Sequence, residues 1–442
     1  MILEEILIYG ITLLICAAVV YFYLRAIKKK SQATEVKVNI AKEEGRFEPL
    51  SLHPHIDLST CIGSGACIAA CPEKDILGLV NNKATVINAT SCVGHGACFH
   101  ACPVEAITLR IGTETRGVEL PHVNQTYETN IKGIYIAGEL GGMGLIKNSV
   151  EQGKQAMDNI NKSITNKKDD IYDVVIIGAG PAGISATLTA KKHNLNFLTL
   201  EQDTLGGTVY SFPRAKIVMT NPMDLPLYGK VKLFDTSKDE LLNIWNDALS
   251  KNNVTIQEKT KVESITPLED GTFKIKTNKE STYDTQCVLI AIGRRGSPRK
   301  LNVPGEGLPK VAYRLIESER ITDKNILVVG GGDSAIESAM LLMDQNNVTL
   351  SYRKGSFSRI KSKNEVKIKD AILNKKLNVV FNSNLSEIFE DHIHLKLEDG
   401  EIDKIENDLV YIFAGGELPT KFLQGAGIEI KKRFGYIMKK HN

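Results

Sequence analysis

The sequence lacks a strong excess of charge, a basic arm and any C-x-x-C pair. With 55 Lys and Arg against 52 Asp and Glu, the net charge of +3 is too small to indicate a nucleic-acid partner. Cysteine is scarce as well, with eight in 442 residues, and six of these lie between Cys61 and Cys102. Such crowding is typical of a metal site in a reducing compartment, and not of an extracellular disulfide scaffold.

Charge is also absent between residues 6 and 24. About 19 apolar residues suffice for a helix to cross the roughly 30 Å hydrocarbon core of a bilayer. Arg25 and lysines 28–30 follow this stretch. The positive-inside tendency therefore predicts a single-pass anchor in the cytoplasmic membrane, with the N-terminus outside and the other domains in the cytoplasm. A cleaved signal peptide is the alternative, but its basic residues would precede the apolar stretch.

The cysteine block contains an internal repeat, TCIGSGACIAACP and SCVGHGACFHACP, which predicts two equivalent structural units. Each half has the spacing C-x5-C-x3-C-P, and zinc motifs usually show C-x2-C pairs, which neither half contains. The block is therefore predicted to hold iron–sulfur clusters, with a zinc site or buried structural cysteines as alternatives. The predicted ligands are Cys61, Cys67, Cys71, Cys92, Cys98 and Cys102.

This repeat resembles the bacterial two-cluster ferredoxins, whose pattern is C-x2-C-x2-C-x3-C-P twice over. Ser64 and His95 occupy the positions of the second cysteines. Imidazole can supply a nitrogen ligand and serine an alkoxide, so two clusters of the 4Fe-4S or 3Fe-4S type are predicted. In that family the last cysteine of each motif ligates the other cluster. The implied sets are Cys61 and Cys67 with Cys102, and Cys92 and Cys98 with Cys71.

Two later segments each show a strand, a glycine-rich turn and a helix, which indicates two dinucleotide-binding units. The first is YDVVIIGAGPAGISATLTAKK, whose glycines allow a tight turn and close approach to a pyrophosphate. Glu201 closes the next apolar run and suits a hydrogen bond to a ribose hydroxyl. The residues predicted to contact this dinucleotide are Gly178, Gly180, Pro181, Ala182, Gly183, Glu201, Gly207 and Thr208.

The second segment is NILVVGGGDSAIESAMLL. The strand after it, NVTLSYRKGSF, ends without the acidic residue that would bind the 2′-hydroxyl of NAD. Arg353 and Lys354 stand there instead, and cations at this place favour the 2′-phosphate of NADPH; a solvated basic face is the alternative. The residues predicted to contact NADPH are Gly330, Gly332, Asp333, Ser334, Ala335, Arg353, Lys354 and Arg359.

From residue 112 onward the chain resembles the thioredoxin-reductase-like pyridine-nucleotide flavoproteins. CVLIAIGRRGSPRKLNVPGE matches the strand that leads from the FAD domain into the NADPH domain, and DLVYIFAGGELPTKFLQGAGIEI matches the strand that leads back. The family's next segment occurs upstream instead, as YETNIKGIYIAGELGGMGLIKNSVEQGKQAMDNI. The resemblance implies a circular permutation, with FAD at the first glycine turn and in contact with Gly138 and Glu139, which replaces an aspartate.

The predicted fold is α/β, with two Rossmann-like three-layer domains for FAD and NADPH, a small α+β dicluster ferredoxin domain and an N-terminal transmembrane helix. The predicted segments are an anchor (1–30), a tether (31–50), the iron–sulfur domain (51–111), the displaced FAD-domain segment (112–162), a linker (163–170), the FAD domain (171–298), the NADPH domain (299–425) and a C-terminal tail (426–442).

The family's dithiol reductases carry a redox C-x-x-C pair, so thioredoxin-type disulfide reduction is not expected here. The sequence predicts a membrane-anchored, NADPH-dependent oxidoreductase in which electrons pass from FAD to the clusters and on to an unknown redox partner at or near the membrane. No catalytic acid or base is required. The alternatives are reverse flow from a ferredoxin-like donor to NADP⁺ and a redox sensor that controls a partner. By resemblance, a homodimer is also expected.

Overall fold

A computed structural model of the chain describes residues 2–43, 47–49, 52–73, 75–92, 94–142, 144–166, 168–212, 217–219, 222–233, 235–294, 297–357 and 360–441. The chain forms two compact units, which we call the first and the second unit. The first unit is Met1–Gly117 with Phe434–Asn442, and the second is Val118–Arg433.

The helices in chain order are α1 (Ile2–Glu43), α2 (Ala66–Ala70), α3 (Ala97–Ala101), α4 (Ile146–Ser163), α5 (Pro181–Lys192), α6 (Lys238–Lys251), α7 (Asp333–Leu342), α8 (Ser362–Leu373) and α9 (Thr420–Gly425). The strands are β1 (His53–Ile56), β2 (Leu77–Val80), β3 (Lys83–Val86), β4 (Ile107–Ile111), β5 (Val118–Pro121), β6 (Ile134–Ile136), β7 (Tyr172–Ile177), β8 (Phe197–Leu200), β9 (Ile217–Met219), β10 (Met223–Leu225), β11 (Gly229–Val231), β12 (Asp235–Ser237), β13 (Val262–Pro267), β14 (Phe273–Thr277), β15 (Thr282–Ile290), β16 (Ser297–Pro298), β17 (Val311–Ala312), β18 (Asn325–Val329), β19 (Asn347–Tyr352), β20 (Asn378–Phe381), β21 (Asn384–Ile388), β22 (His392–Lys396), β23 (Ile402–Glu406), β24 (Leu409–Ile412), β25 (Gly416–Glu417), β26 (Ile430–Arg433) and β27 (Tyr436–Lys439).

The first unit repeats one small motif for each half of the cysteine block. Each half supplies a five-residue helix, α2 or α3, and the two helices pack against each other. β4 lies between β1 and β27 in an antiparallel sheet, and its alternating side chains Ile107, Leu109 and Ile111 are buried. β2 and β3 form a separate hairpin. The sequence repeat is therefore a structural repeat.

α1 extends far beyond the predicted anchor, which corrects the prediction of a tether over 31–50. Val38 and Ala41 are buried, and Lys37 Nζ lies 2.6 Å from Asp75 Oδ1 at the start of the β2–β3 hairpin. Two buried apolar side chains are too few to produce a helical stripe in the sequence. Packing against the hairpin stabilises this part of the helix, because helices gain most of their stability from tertiary contacts.

The N-terminal part of α1 is apolar and does not pack on the protein. Among the residues that the structure describes, α1 is the helix long and apolar enough to cross a membrane. Its side chains from Ile6 to Leu24 are exposed, including Leu13, of which 71% of the surface is accessible. Exposed apolar surface of this extent indicates contact with lipid or another apolar partner.

The second unit contains a sheet in the order β13-β14-β15-β7-β8. β6 pairs in parallel with the end of β15, so the segment upstream of the first glycine turn belongs to the same sheet. α4, from that segment, packs against α5. At Gly153 of α4, a Cβ would lie 2.1 Å from the Ala182 carbonyl oxygen, so only glycine permits this contact.

A second sheet of this unit is fully parallel, in the order β17-β24-β18-β19-β20. Its core includes side chains from α7 and α8, such as Ile336 and Ile368, and Leu350 of β19. The antiparallel strands β21, β22 and β23 form a smaller sheet. The two parallel βα arrangements confirm the predicted α/β class.

The residues predicted as a tail, 426–442, contain two strands. β26 pairs with β5 in the second unit, and β27 pairs with β4 in the first. After β27 the His441 ring stacks on Phe99 with their centroids 3.7 Å apart, and Lys439 Nζ lies 5.2 Å from the centroid of the same ring. The end of the chain thus completes the sheet of the first unit.

We predict that Ala41→Glu detaches α1 from the β2–β3 hairpin, because a carboxylate would be buried where 2% of the residue is accessible. Trypsin should then cleave at Lys37 and Lys42 faster, and hydrogen exchange in the hairpin should rise by about tenfold or more. Ile40→Glu is the matched control, since Ile40 is 42% accessible. Equal rates of hydrogen exchange in the hairpin of the two variants would contradict the packing of α1 on the hairpin.

Candidate functional site

One cavity of the first unit is lined by Cys61, Cys67 and Cys102; we call it site I. It contains thiols from both halves of the repeat. The Ala84 nitrogen lies 3.4 Å from Cys61 Sγ, and the Ala106 nitrogen lies 3.3 Å from Cys102 Sγ. N–H groups that donate to sulfur stabilise the thiolate form and tune the potential of a bound cluster.

A second cavity, site II, is lined by the other three thiols of the repeat, Cys71, Cys92 and Cys98. His53 and Glu73 border the same space. The last cysteine of each half therefore lines the cavity that contains the first two cysteines of the other half. This exchange is the arrangement that the two-cluster ferredoxin pattern implies.

Paired glycines in the left-handed region shape the loop that carries the first cysteine of each half. φ is +71° at both Gly63 and Gly65, and it is +78° at Gly94 and +73° at Gly96. At Gly63 a Cβ would lie 2.0 Å from the carbonyl oxygen of Asn82, so glycine is needed for space as well as for φ. The short helix that follows carries the second cysteine, and the third cysteine comes directly after it.

The thiols within each set interact electrostatically. Burial raises the pKa of Cys98 to about 12, and the nearby Cys92 and Cys71 raise it as well. Burial also raises the pKa of Cys67, and Cys61 and Cys102 add to the increase. The direction is the same in both sites because neither desolvation nor mutual repulsion favours thiolates. A multiply charged metal centre would offset both effects.

The two sets of thiols fit clusters better than single ions. Across the described ranges, no three His, Cys, Asp or Glu side chains converge on one position where an ion could bind. A structural zinc ion needs about four ligands at roughly 2.0–2.3 Å. In the described residues, three thiols line each cavity without converging on one point, which fits a polynuclear iron–sulfur centre.

The residues at the second-cysteine positions also line the two cavities. Ser64 lies at site I and is exposed, whereas His95 lies at site II and is half-buried. An imidazole nitrogen binds iron without first losing a proton from a hydroxyl, so His95 is the better candidate ligand. Both roles remain predictions.

In the second unit, the first glycine turn joins β7 to α5. φ is +103° at Gly178, where a Cβ would lie 2.7 Å from the carbonyl oxygen of Ala291. A Cβ on Gly183 would lie 1.8 Å from the Gly178 carbonyl oxygen. At Gly180, by contrast, a Cβ would meet no atom within 4 Å, so open space lies beside the start of α5. A pyrophosphate fits such a helix N-terminus.

Glu201 is held beside this turn, directly after β8. Its Oε2 accepts a hydrogen bond from the Ala179 nitrogen at 2.7 Å, and its Oε1 accepts one from the Asp203 nitrogen at 2.9 Å. Burial raises the pKa of the carboxyl group, while the two N–H donors lower it. The carboxylate is thus fixed where the pattern places the ribose of a dinucleotide.

Two further loops meet at the start of α5. A Cβ on Gly138 would lie 3.1 Å from that of Ala182, and one on Gly207 would lie 3.5 Å from the Cα of Gly180. The structure therefore brings together predicted FAD contacts from three separate parts of the chain. The remaining predicted residues at this turn directly follow or begin these elements: Glu139, Pro181 and Thr208.

The second glycine turn joins β18 to α7. φ is +141° at Gly330, where a Cβ would lie 2.7 Å from the carbonyl oxygen of Phe413. Asp333, at the start of α7, accepts hydrogen bonds from the Lys361 nitrogen at 2.9 Å and from Asn364 Nδ2 at 2.7 Å. It therefore fixes the beginning of α8. The other predicted residues of this turn are Gly332, Ser334 and the buried Ala335.

The predicted phosphate-binding cations follow β19. Arg353 and Lys354 are both exposed at the end of this strand, next to the turn that follows β18 in the parallel sheet. Their position suits contact with a 2′-phosphate. Arg359 lies outside the residues that the structure describes.

Several contacts of these sites were not found from the sequence. The Ala84 N–H group reaches Cys61 Sγ, 23 positions away, only in the folded chain and so leaves no local signal, whereas the Ala106 N–H group contacts Cys102 Sγ only four positions away. Gln152 Oε1 accepts from the Gly138 nitrogen at 2.8 Å and is buried. A polar residue on the buried face of α4 could have indicated such a role.

Comparison with known proteins agrees with both halves of this description. The family model "Pyridine nucleotide-disulphide oxidoreductase" matches residues 175–441, and "4Fe-4S dicluster domain" matches residues 53–103. Bacilliredoxin reductase Bdr from Bacillus subtilis is 27% identical over 59% of this chain and 82% of its own length. A ferredoxin–NADP reductase from Halalkalibacterium halodurans is 28% identical over 60% of this chain and 80% of its own length.

Among solved structures, bacillithiol disulfide reductase Bdr from Staphylococcus aureus is similar to this chain with a TM-score of 0.52. The two are 25% identical, and the match covers 60% of this chain and 84% of that one. The similarity extends over most of the relative but leaves two fifths of this chain outside the match.

We predict that single cysteine substitutions fall into two spectroscopic classes that cross the halves of the repeat. Cys67→Ser and Cys102→Ser should remove one electron paramagnetic resonance signal, and Cys71→Ser and Cys98→Ser the other, with iron content falling by about half in each. Cys287→Ser is the control, because Cys287 is buried in β15 of the second unit. If Cys67→Ser and Cys71→Ser, which lie in the same half of the repeat, instead removed the same signal, the exchange of the third cysteines between the two sites would be refuted.

Proposed function

The chain belongs to the pyridine nucleotide-disulphide oxidoreductase family, and from this we propose that it is a membrane-anchored enzyme that transfers electrons from NADPH through FAD to two iron–sulfur clusters. The bound flavin would accept a hydride and release its electrons singly, and each cluster would take one. The final acceptor in this proposal lies at or near the membrane.

The observation that carries the proposal is the sorting of six thiols into site I and site II in a chain that also has two dinucleotide turns. A relative from Halalkalibacterium halodurans is named a ferredoxin–NADP reductase. In this chain the ferredoxin-like domain is part of the same polypeptide. Electron exchange with a separate ferredoxin is thus replaced by exchange with a covalently linked domain, which raises its effective concentration.

The chain's own residues bind and orient the cofactors. Gly178, Gly180 and Gly183 admit the FAD pyrophosphate, and Glu201 orients the ribose. Glu139 and Thr208 lie in the two loops that meet at this turn, where they can contact the remainder of FAD. The proposed transfer of a hydride and of single electrons requires no acid or base from the chain, because the protein supplies orientation and electrostatics.

Disulfide reduction fits this chain less well. Its cysteines outside the repeat are Cys16, in the apolar part of α1, and Cys287, whose pKa burial raises to about 11. A thiol with a raised pKa is a poor nucleophile near neutral pH. The thiols that remain line site I and site II, so the proposed chemistry is electron transfer and not thiol exchange.

The membrane attachment in this proposal rests on the exposed apolar part of α1 and on the basic residues after it. With Arg25 and lysines 28–30 on the inner side, the two units would lie in the cytoplasm, where NADPH is available. Anchoring would limit the search for an acceptor to the membrane surface.

The central prediction is sequential reduction after anaerobic mixing with NADPH in a stopped-flow spectrometer. Flavin absorbance should fall first, and the broad absorbance of the clusters should fall afterwards. A Cys67→Ser/Cys98→Ser double variant should bleach its flavin at the same rate but lack the later phase. Flavin bleaching of the unmodified protein with clusters that stay oxidised would rule out the proposed route.

A further prediction concerns the choice of nucleotide. Arg353→Ala/Lys354→Ala should raise KM for NADPH by about tenfold or more, because two charge-assisted contacts to the 2′-phosphate are lost. The kcat/KM for NADH should change little. Lys363→Ala is the matched control, since this exposed lysine lies in α8. Equal loss with NADPH and NADH would show that the pair does not read the 2′-phosphate.

A further inference from the structure

The loops of site I and site II differ in exposure although their sequences repeat. In site I, Ser64 is exposed and Ile62 is 58% accessible, and Leu58 in the preceding turn is 55% accessible. In site II, Gly94 and Gly96 are buried and His95 is half-buried. Among the described residues of the two loops, those of site I are therefore the more exposed, and two large apolar side chains, Leu58 and Ile62, lie at its edge.

Contacts within the first unit connect this loop to α1. Gly63, next to Ile62, lies directly against Asn82 in the turn of the β2–β3 hairpin. The neighbouring Asn81 nitrogen donates to Ser31 Oγ of α1 at 2.9 Å. The turn of the hairpin thus contacts both the site I loop and Ser31 of α1. Gly78 of the hairpin also lies against Thr34, one helical turn further along α1.

Ser31 lies close to the end of the proposed membrane span. It lies seven positions after Leu24, which corresponds to about 10 Å along a helix at 1.5 Å per residue. The polar layer of a bilayer is roughly 5–8 Å thick on each side of the hydrocarbon core. With the proposed span, the hairpin turn would lie just outside the headgroups, and the exposed lysines 28–30 of α1 would lie among them.

From this placement we infer that the loop from Leu58 to Ile62 rests on the lipid surface and that site I delivers electrons to a small acceptor dissolved in the bilayer, of the isoprenoid quinone class. The inference rests on the proposed function. In the overall reaction NADPH supplies two electrons and one proton, water supplies a second proton, and the quinone becomes the quinol. Bond changes are confined to hydride loss at the nicotinamide and protonation of the two quinone oxygens.

The size of the apolar edge favours lipid over a protein partner. A stable protein interface buries about 1,000 Å² or more, with large anchor residues at its centre. Two aliphatic side chains on a short loop are too small for this, but they add usefully to a helix that already binds the bilayer. Asp57 holds the turn in shape by accepting hydrogen bonds from Ser59 and Thr60, so Leu58 stays on the outside.

The placement is tested with the full-length protein in vesicles of phosphatidylcholine and phosphatidylglycerol that contain phosphatidylcholine with a nitroxide quencher on its headgroup. Leu58→Trp fluorescence should be quenched at least about twofold more than Phe47→Trp fluorescence, because quenching requires contact with lipid. Phe47 is 40% accessible and lies beyond the far end of α1, and Trp245 is buried and contributes the same background to both variants. Equal quenching would overturn the placement.

The acceptor is tested with a long-chain quinone in the same vesicles. Leu58→Glu should lower NADPH-driven quinone reduction by about fivefold or more, because a carboxylate is unfavourable at the lipid boundary, whereas Phe47→Glu should not. If Leu58→Glu reduced the quinone at the wild-type rate, the inference would be refuted. It would also be refuted if NADPH reduced the clusters while the quinone stayed oxidised, a result that would indicate a membrane protein as the acceptor. Cluster reduction by NADPH is followed in the same samples, since its failure counts against the proposed function alone.

Discussion

The six thiols of the first unit, three of them buried and three half-buried, resist deprotonation unless a metal centre compensates the charge of the thiolates. Burial and neighbouring sulfurs raise the pKa of cysteines in both cavities, to about 11 at Cys92 and about 12 at Cys98. Metal binding requires the deprotonated form, so the binding free energy must exceed this cost. Because each cavity takes thiols from both halves, loading either site also fixes the two short helices against each other. Cofactor loading and folding are therefore coupled in this unit.

The second unit depends on close backbone approach instead of charge. Gly153, Gly178 and Gly183 each occupy a place where a Cβ would lie within 3 Å of a carbonyl oxygen. These contacts let α4 pack on α5 and place β6 on β15, although the segment precedes the first glycine turn in the chain. The order of segments along the chain matters less than the surfaces that they present, because β6 joins this sheet although it precedes β7 in the chain.

The sequence allowed the prediction of features with a local pattern. The cysteine spacing and the two glycine turns are local, and the expected residues lie together in the structure. The helical continuation over residues 31–43 had no such signal, because Val38 and Ala41 are the two buried apolar side chains in this stretch. The strand at Tyr436–Lys439 was missed for a similar reason, since its partner in β4 is far away in sequence. Whether Ser64 and His95 ligate iron depends on chemistry that spacing does not encode.

The pairing of β27 with β4 has a consequence for biosynthesis. A ribosome makes β4 early and β27 only after the whole second unit has been translated. Until then β4 has a partner on one side and an open edge on the other, and Phe99 lacks the ring of His441 that covers it. Since domains tend to fold as they are synthesised, the second unit can mature before the first is closed. Proteins that deliver iron and sulfide during translation would therefore find the first unit still accessible, and β27 would complete its sheet afterwards.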